Sequence, residues 1–132
     1  MSFSNVGALM WIMLHSFAQK IKPDTFISNK EDVVDFLKEF YNSELHCEAC
    51  RIDSINYLDN YKPLNTQTDF KKYMFDFHQN VNSKLHKRVF DESILLQYES
   101  VNITDVFSLF IPKCRSEKVR TFLTTHDSWF NQ

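Results

Sequence analysis

The chain is poor in residues that punctuate structure. It has one glycine, Gly7, and three prolines, Pro23, Pro63 and Pro112, in 132 residues. So few turn formers disfavour an all-β domain of short strands and tight turns. A dominant charge is missing too. Fifteen Lys and Arg against 17 Asp and Glu leave a net charge of -2, which gives no electrostatic footprint for nucleic acid. No apolar run is long enough for a membrane span. The longest, Val6 to Leu14, contains Gly7 and ends at His15. No Lys or Arg precedes it and no clean cleavage site follows, so we expect a mature helix rather than a secretory leader. The three cysteines cannot build a disulfide framework, and their number alone leaves the redox compartment open.

What is present points to helices around a core. Hydrophobic residues make up 43% of the chain, with 13 Phe among them. A single domain of this size buries roughly two-thirds of the surface of its unfolded chain. The first helix is expected from about Asn5 to Ile21, ended by the Lys22-Pro23 step, with Leu9, Ile12, Met13 and Phe17 on one stripe. A capping box at Ser28-Asn29-Lys30-Glu31 opens the second, which carries Val33, Val34, Phe36, Leu37, Phe40 and Tyr41 at helical spacing. The third begins near Cys47 and stops before Pro63. The fourth opens at Thr68-Asp69 and runs to about Lys87. A shorter fifth follows from Asp91 to Tyr98. Short connections between these segments favour a bundle. Beyond Ser100 the periodicity weakens, although Ser116 to Phe130 reads as a last helix. The basic residues of this tail, Lys113, Arg115, Lys118 and Arg120, read as a solvated face.

Three groups of residues carry the chemistry. Cys47 and Cys50 lie three apart in His46-Cys47-Glu48-Ala49-Cys50-Arg51. At a helix N-terminus, unpaired N–H groups and the helix dipole stabilise a thiolate. The pair suits a dithiol–disulfide couple, half of a zinc site, or two incidental thiols. A zinc site needs two further ligands at matching spacing, and Cys114 stands alone. A thioredoxin-like context would require a βαβ unit. On the first helix, Gly7, Trp11, Leu14 and His15 share a stripe. It offers a flat aromatic face, an imidazole, and a residue without a Cβ that permits close approach. On the fourth, His78, Asn82 and Leu85 fall at i, i+4 and i+7. Buried polar groups on such a stripe need partners, within the protein or from a ligand. Lys87 is out of phase with them and can join the same ligand only from the helix end.

Together, Gly7-x3-Trp11-x2-Leu14-His15, Cys47-x2-Cys50 and His78-x2-Val81-Asn82-x2-Leu85-x-Lys87 resemble the Erv/ALR family of FAD-linked sulfhydryl oxidases over about residues 5 to 100. The chain looks most like the minimal versions encoded by large DNA viruses. The resemblance implies an all-α fold: a four-helix bundle with a short fifth helix, in residues 1–100, followed by a partly helical C-terminal extension, 101–132. It implies FAD held by Gly7, Trp11, His15, His78, Asn82, Leu85, Lys87 and Tyr98, the last standing near a family Trp. It also implies catalysis by Cys47, nearer to substrate, and Cys50, nearer to the flavin. Protein dithiols, such as a thioredoxin-like carrier, would be oxidised, O2 would become hydrogen peroxide, and the chain would form a homodimer. No metal, nucleic acid or membrane span is expected. A cytoplasmic location, or a virion, fits a virus-type oxidase. The chain departs from the family at Gln79, where Asn is usual, at His86, where Gly is usual, and in lacking the structural disulfides of many members. The competing class is a helical interaction module that keeps the scaffold without the activity. Cys114 is expected to be a free thiol or a partner in an intermolecular pair.

Overall fold

A computed structural model describes residues 4–87 and 91–131, with side chains from Gly7 onward. Helices α1 (Ser4–Lys20), α2 (Pro23–Ser28), α3 (Lys30–Glu44), α4 (Glu48–Asn60) and α5 (Gln67–Lys84) come first. A 3-10 helix, Glu92–Tyr98, α6 (Ile103–Phe110), a 3-10 turn at Ile111–Lys113, α7 (Glu117–Thr125) and a last 3-10 turn at Asp127–Trp129 follow. The fold is all-α, as the sequence implies. α1 packs against α5, α6 and the 3-10 helix; α3 packs against α4 and α7.

The core forms around the aromatic stripe of α1. Met13, Phe17 and Ile21 are fully buried. The Phe17 ring meets Phe36 of α3 at 5.2 Å, Phe70 of α5 at 5.9 Å, Phe107 of α6 at 6.4 Å and Phe122 of α7 at 6.1 Å between centroids. Rings at such separations add to the free energy of burial. Residues of the C-terminal segment, Ile103, Val106, Phe107, Phe110, Val119, Leu123 and Phe130, belong to this same core. The chain end is pinned to the end of α1 by Lys22 N–H donating to Trp129 O at 2.9 Å and Asn131 N–H donating to Lys20 O at 2.8 Å.

Several boundaries differ from the sequence expectation. The Lys22-Pro23 step ends α1, but Pro23 then opens α2 from the N-terminal position that its fixed φ favours. The capping box at Ser28 does not form. Asn29 is the N-cap of α3 without a side-chain cap bond, because its Nδ2 donates back to Thr25 O at 2.9 Å. The box sits instead at α5, where Thr66 Oγ1 accepts from Asp69 N and the Asp69 carboxylate accepts from Thr66 N. α4 buries only Ser54 and Leu58, and Ile52 is 52% exposed.

α5 ends at Lys84, three residues earlier than expected, in a Schellman motif. Lys87 N–H donates to Asn82 O at 2.7 Å and His86 N–H donates to Ser83 O at 3.1 Å. His86 sits at C′ with φ 56°, the left-handed region that glycine occupies without a Cβ penalty. The family's glycine at this position therefore has a backbone reason. Replacing the side chain relieves a penalty of about 1–2 kcal/mol, offset in part by the chain entropy of glycine. His86→Gly is therefore expected to raise the unfolding free energy by about 0.5–1 kcal/mol in urea titrations; a loss of stability would contradict the assignment of this cap.

Candidate functional site

Cys47 and Cys50 form a disulfide at the start of α4. Cys47 is the N-cap, in extended backbone, and its Sγ accepts from Cys50 N at 3.1 Å. A short linker, Leu45 to Cys47, joins α3 to α4, and Arg51 Nε donates to Leu45 O at 2.8 Å. The two sulfurs differ in setting. Cys47 is exposed, whereas Cys50 is half-buried and lines a cavity of about 650 Å3 between α1, α3, α4 and α5. Cys47 is not part of that lining.

The cavity brings together most of the residues singled out in the sequence. Gly7, Trp11, Leu14, His78, Asn82, Leu85 and Lys87 line it. Because α5 stops at Lys84 and the chain turns at His86, Lys87 reaches the same cavity from the helix end. His15 and Tyr98 are not in the lining. They stand behind it as a stacked pair, with centroids 4.9 Å apart and planes 14° apart. The His78 ring stacks on Trp11 at 3.7 Å and 9°. A hydrogen bond of 2.8 Å between His15 Nε2 and His78 Nδ1 ties the two stacks together. His15 Nδ1 is buried and has no hydrogen-bond partner among the described residues, a cost of about 1–3 kcal/mol unless a ligand or water satisfies it.

Other lining residues carry no motif. Tyr41, buried in α3, reads as core from its period. Its hydroxyl shares a 2.7 Å hydrogen bond with Tyr73. Asp53 of α4 and Lys84 of α5 also line the cavity and approach each other at 3.5 Å. The spacing of Asp53, one helical step of three beyond Cys50, is the signal that could have placed it here. Cys114 is free and buried, with Sγ donating to Phe110 O at 3.7 Å. Burial, and then the Glu44 charge, push its thiol up to about 12, so it is protonated at neutral pH.

The cavity fits a planar cofactor with polar edges. Its volume lies in the usual range for small-molecule sites, about 300–1,000 Å3. Aromatic rings wall it, an unsatisfied imidazole nitrogen lies behind it, and Lys84 and Lys87 supply positive charge. A disulfide meeting such a cavity places the protein in the class of cofactor-linked thiol–disulfide redox proteins. Residues 8–103 match the Erv1 / Alr family, and the chain belongs to that family. It is similar to the FAD-linked sulfhydryl oxidase of African swine fever virus isolate Tick/Malawi/Lil 20-1/1983, with 32% identity over 84 residues, 63% of this chain and 70% of that protein. The protein of the same description from isolate Pig/Kenya/KEN-50/1950 matches with the same identity and coverage. No solved structure matches significantly. Among the described residues, no helix is long and apolar enough to cross a membrane.

Both site histidines are held neutral at pH 7. Burial first, and repulsion from His78 second, lower His15 to about 3. Burial, and then the nearby Lys87 charge, lower His78 to about 4. In the unfolded chain each imidazole takes up its proton near 6.5. The unfolded state therefore binds more protons below that pH, so their contribution to stability is full above pH 6.5 and is lost as pH falls towards 4. Unfolding in this window should take up about two protons through these rings, and about one in His15→Gln. The slope of unfolding free energy against pH from 6.5 to 4 checks this. A variant with the wild-type slope would count against a neutral buried pair.

Proposed function

We propose that the chain is an FAD-dependent sulfhydryl oxidase acting on protein dithiols through Cys47 and Cys50. One observation carries the assignment of roles: Cys50 lines the aromatic cavity, while Cys47 faces solvent outside it. A substrate thiolate attacks Cys47 Sγ, forming a mixed disulfide and releasing Cys50 as thiolate. A second substrate thiolate then attacks the substrate sulfur of that bond. This releases Cys47 and leaves the substrate oxidised and the pair reduced. The N-terminus of α4 stabilises the thiolates through its unpaired N–H groups, one of which already points at Cys47 Sγ.

The residues that would hold FAD are Trp11 and His78 as a flat face, His15 and Asn82 as polar partners, Gly7 as the wall without a Cβ, and Leu85 at the rim. Lys84 and Lys87 would meet the phosphates, and Tyr98 would keep His15 in place from behind. The chemistry FAD supplies when bound is acceptance of two electrons from the reduced pair and their delivery to O2, giving hydrogen peroxide. A homodimer, a thioredoxin-like carrier as one substrate, and a cytoplasmic or virion location belong to the same proposal. They rest on the likeness to compact viral relatives.

The purified protein is expected to show a flavin absorbance spectrum and to consume O2 with a dithiol. In Cys50→Ser, O2 consumption should fall to background while the spectrum of bound flavin persists. Oxidation of thiols at the wild-type rate by Cys50→Ser would refute the relay, and a colourless wild-type protein would refute the cofactor.

A further inference from the structure

The segment beyond the family match is built into the disulfide corner. The family match ends at residue 103, and α6 and α7 follow or overlap that limit. The turn between them returns to the end of α3. There, the Glu44 carboxylate accepts from Arg115 N at 2.9 and 3.1 Å and from Ser116 N at 3.0 Å. Ser43 Oγ also donates to it at 2.8 Å. Ser116 Oγ donates to Glu39 at 2.8 Å, and Arg120 Nη1 donates to Cys114 O at 2.7 Å. The turn is therefore held at both its backbone and its side chains. Lys113 and Lys118 are solvent-facing, as a basic solvated face would be, but Arg115 and Arg120 have fixed partners.

Held this way, Arg115 reaches the residue before the N-cap cysteine. Its Nη2 lies 2.7 Å from His46 Nδ1. A guanidinium only donates, so Nδ1 is the acceptor and the remaining ring proton is on Nε2. From the other side, Arg51 holds Leu45 O. The linker from Leu45 to Cys47 is thus clamped by two arginines, one from α4 and one from the C-terminal segment. Both bring positive charge to the edge where Cys47 is exposed. The charged and titratable groups at this corner are Glu44 of α3, His46 of the linker, Glu48, Arg51 and, once the pair is reduced, Cys50 of α4, and Arg115 of the turn. Glu44 is occupied by the N–H donors of the turn.

We propose that Arg115 is a positioning residue for Cys47: acting through His46, it fixes the linker and favours the Cys47 thiolate and the approach of a substrate thiolate. The proposal rests on the oxidase reading for its consequence in turnover, but not for its effect on the reduced sulfur.

Alkylation of Cys47 in the reduced holoprotein by iodoacetamide, followed against pH by peptide mass spectrometry, reads that effect directly. In Arg115→Ala the midpoint should move up by about half a pH unit, a roughly threefold loss of thiolate at neutral pH. The KM for a dithiol substrate should rise about threefold, with kcat changing less. In a His46→Ala background the same substitution should add no further shift, since the two residues act as one unit. An unchanged midpoint in Arg115→Ala, or fully additive shifts in the double variant, would overturn the proposal. Should Arg115→Ala fail to fold, Arg115→Met keeps the length of the side chain while removing both donor and charge, and the same upward shift is required of it. The upward shift in Arg115→Ala together with a wild-type protein that consumes no O2 would refute the oxidase reading and support the role of Arg115.

Discussion

The packing of α1 is the constraint on which the rest of the structure depends. Phe17 at its centre touches rings from α3, α5, α6 and α7. Interiors are close-packed, so a ring with neighbours on so many sides has little room to shift. The helix is thereby fixed in rotation as well as in position. Trp11 and His15, on the same helix, inherit that rotation and meet His78 of α5. Core and site are therefore one problem. The two hydrophobic stripes that close the bundle also decide which polar residues face the cavity.

Much of this was legible because it follows a helical period. Gly7, Trp11 and Leu14 on α1, and His78, Asn82 and Leu85 on α5, share cavity-facing stripes through spacing alone. The miss at Ser28 has a local cause. Asn29 Nδ2 can satisfy a carbonyl of the preceding turn, and there it competes with capping of the next helix. Pro23 signals both an end and a start, and only the packing of Phe26 into the core shows that a helical turn follows it. Lys87 was out of phase only on the assumption that α5 continued through it. The left-handed residue His86 ends the helix and removes that objection.

What the sequence could not show are the pairings made by tertiary structure. Tyr41 is indistinguishable from a core residue until the cavity exists. Asp53 and Lys84 are charged residues on two helices, and nothing in either helix's period brings them together. Arg115 and His46 are separated by 69 positions, and the basic run around Arg115 has the composition of an ordinary solvated surface. Cys114 looked chemically open in the sequence, yet burial beside Glu44 makes it a poor thiolate.

The inequality of the two sulfurs follows from the way α4 begins. A cysteine at the N-cap lies outside the helical backbone, and the next one, three residues on, lies within the first turn. The N-cap side chain accepts from that turn's N–H, so Cys47 Sγ is drawn back over the helix end while its surface remains exposed. Cys50, one helical step further, shares the side of α4 that carries Asp53 and Ser54 towards the cavity. The three-residue spacing therefore does more than permit a disulfide. It sets one sulfur at the protein surface and the other at the cavity wall, separated by a single covalent bond. In the proposed relay, exchange across that bond would pass electrons inward without a protein movement, so long as the linker before Cys47 stays in place. In this chain, that linker is held by Arg51 on one side and Arg115 on the other.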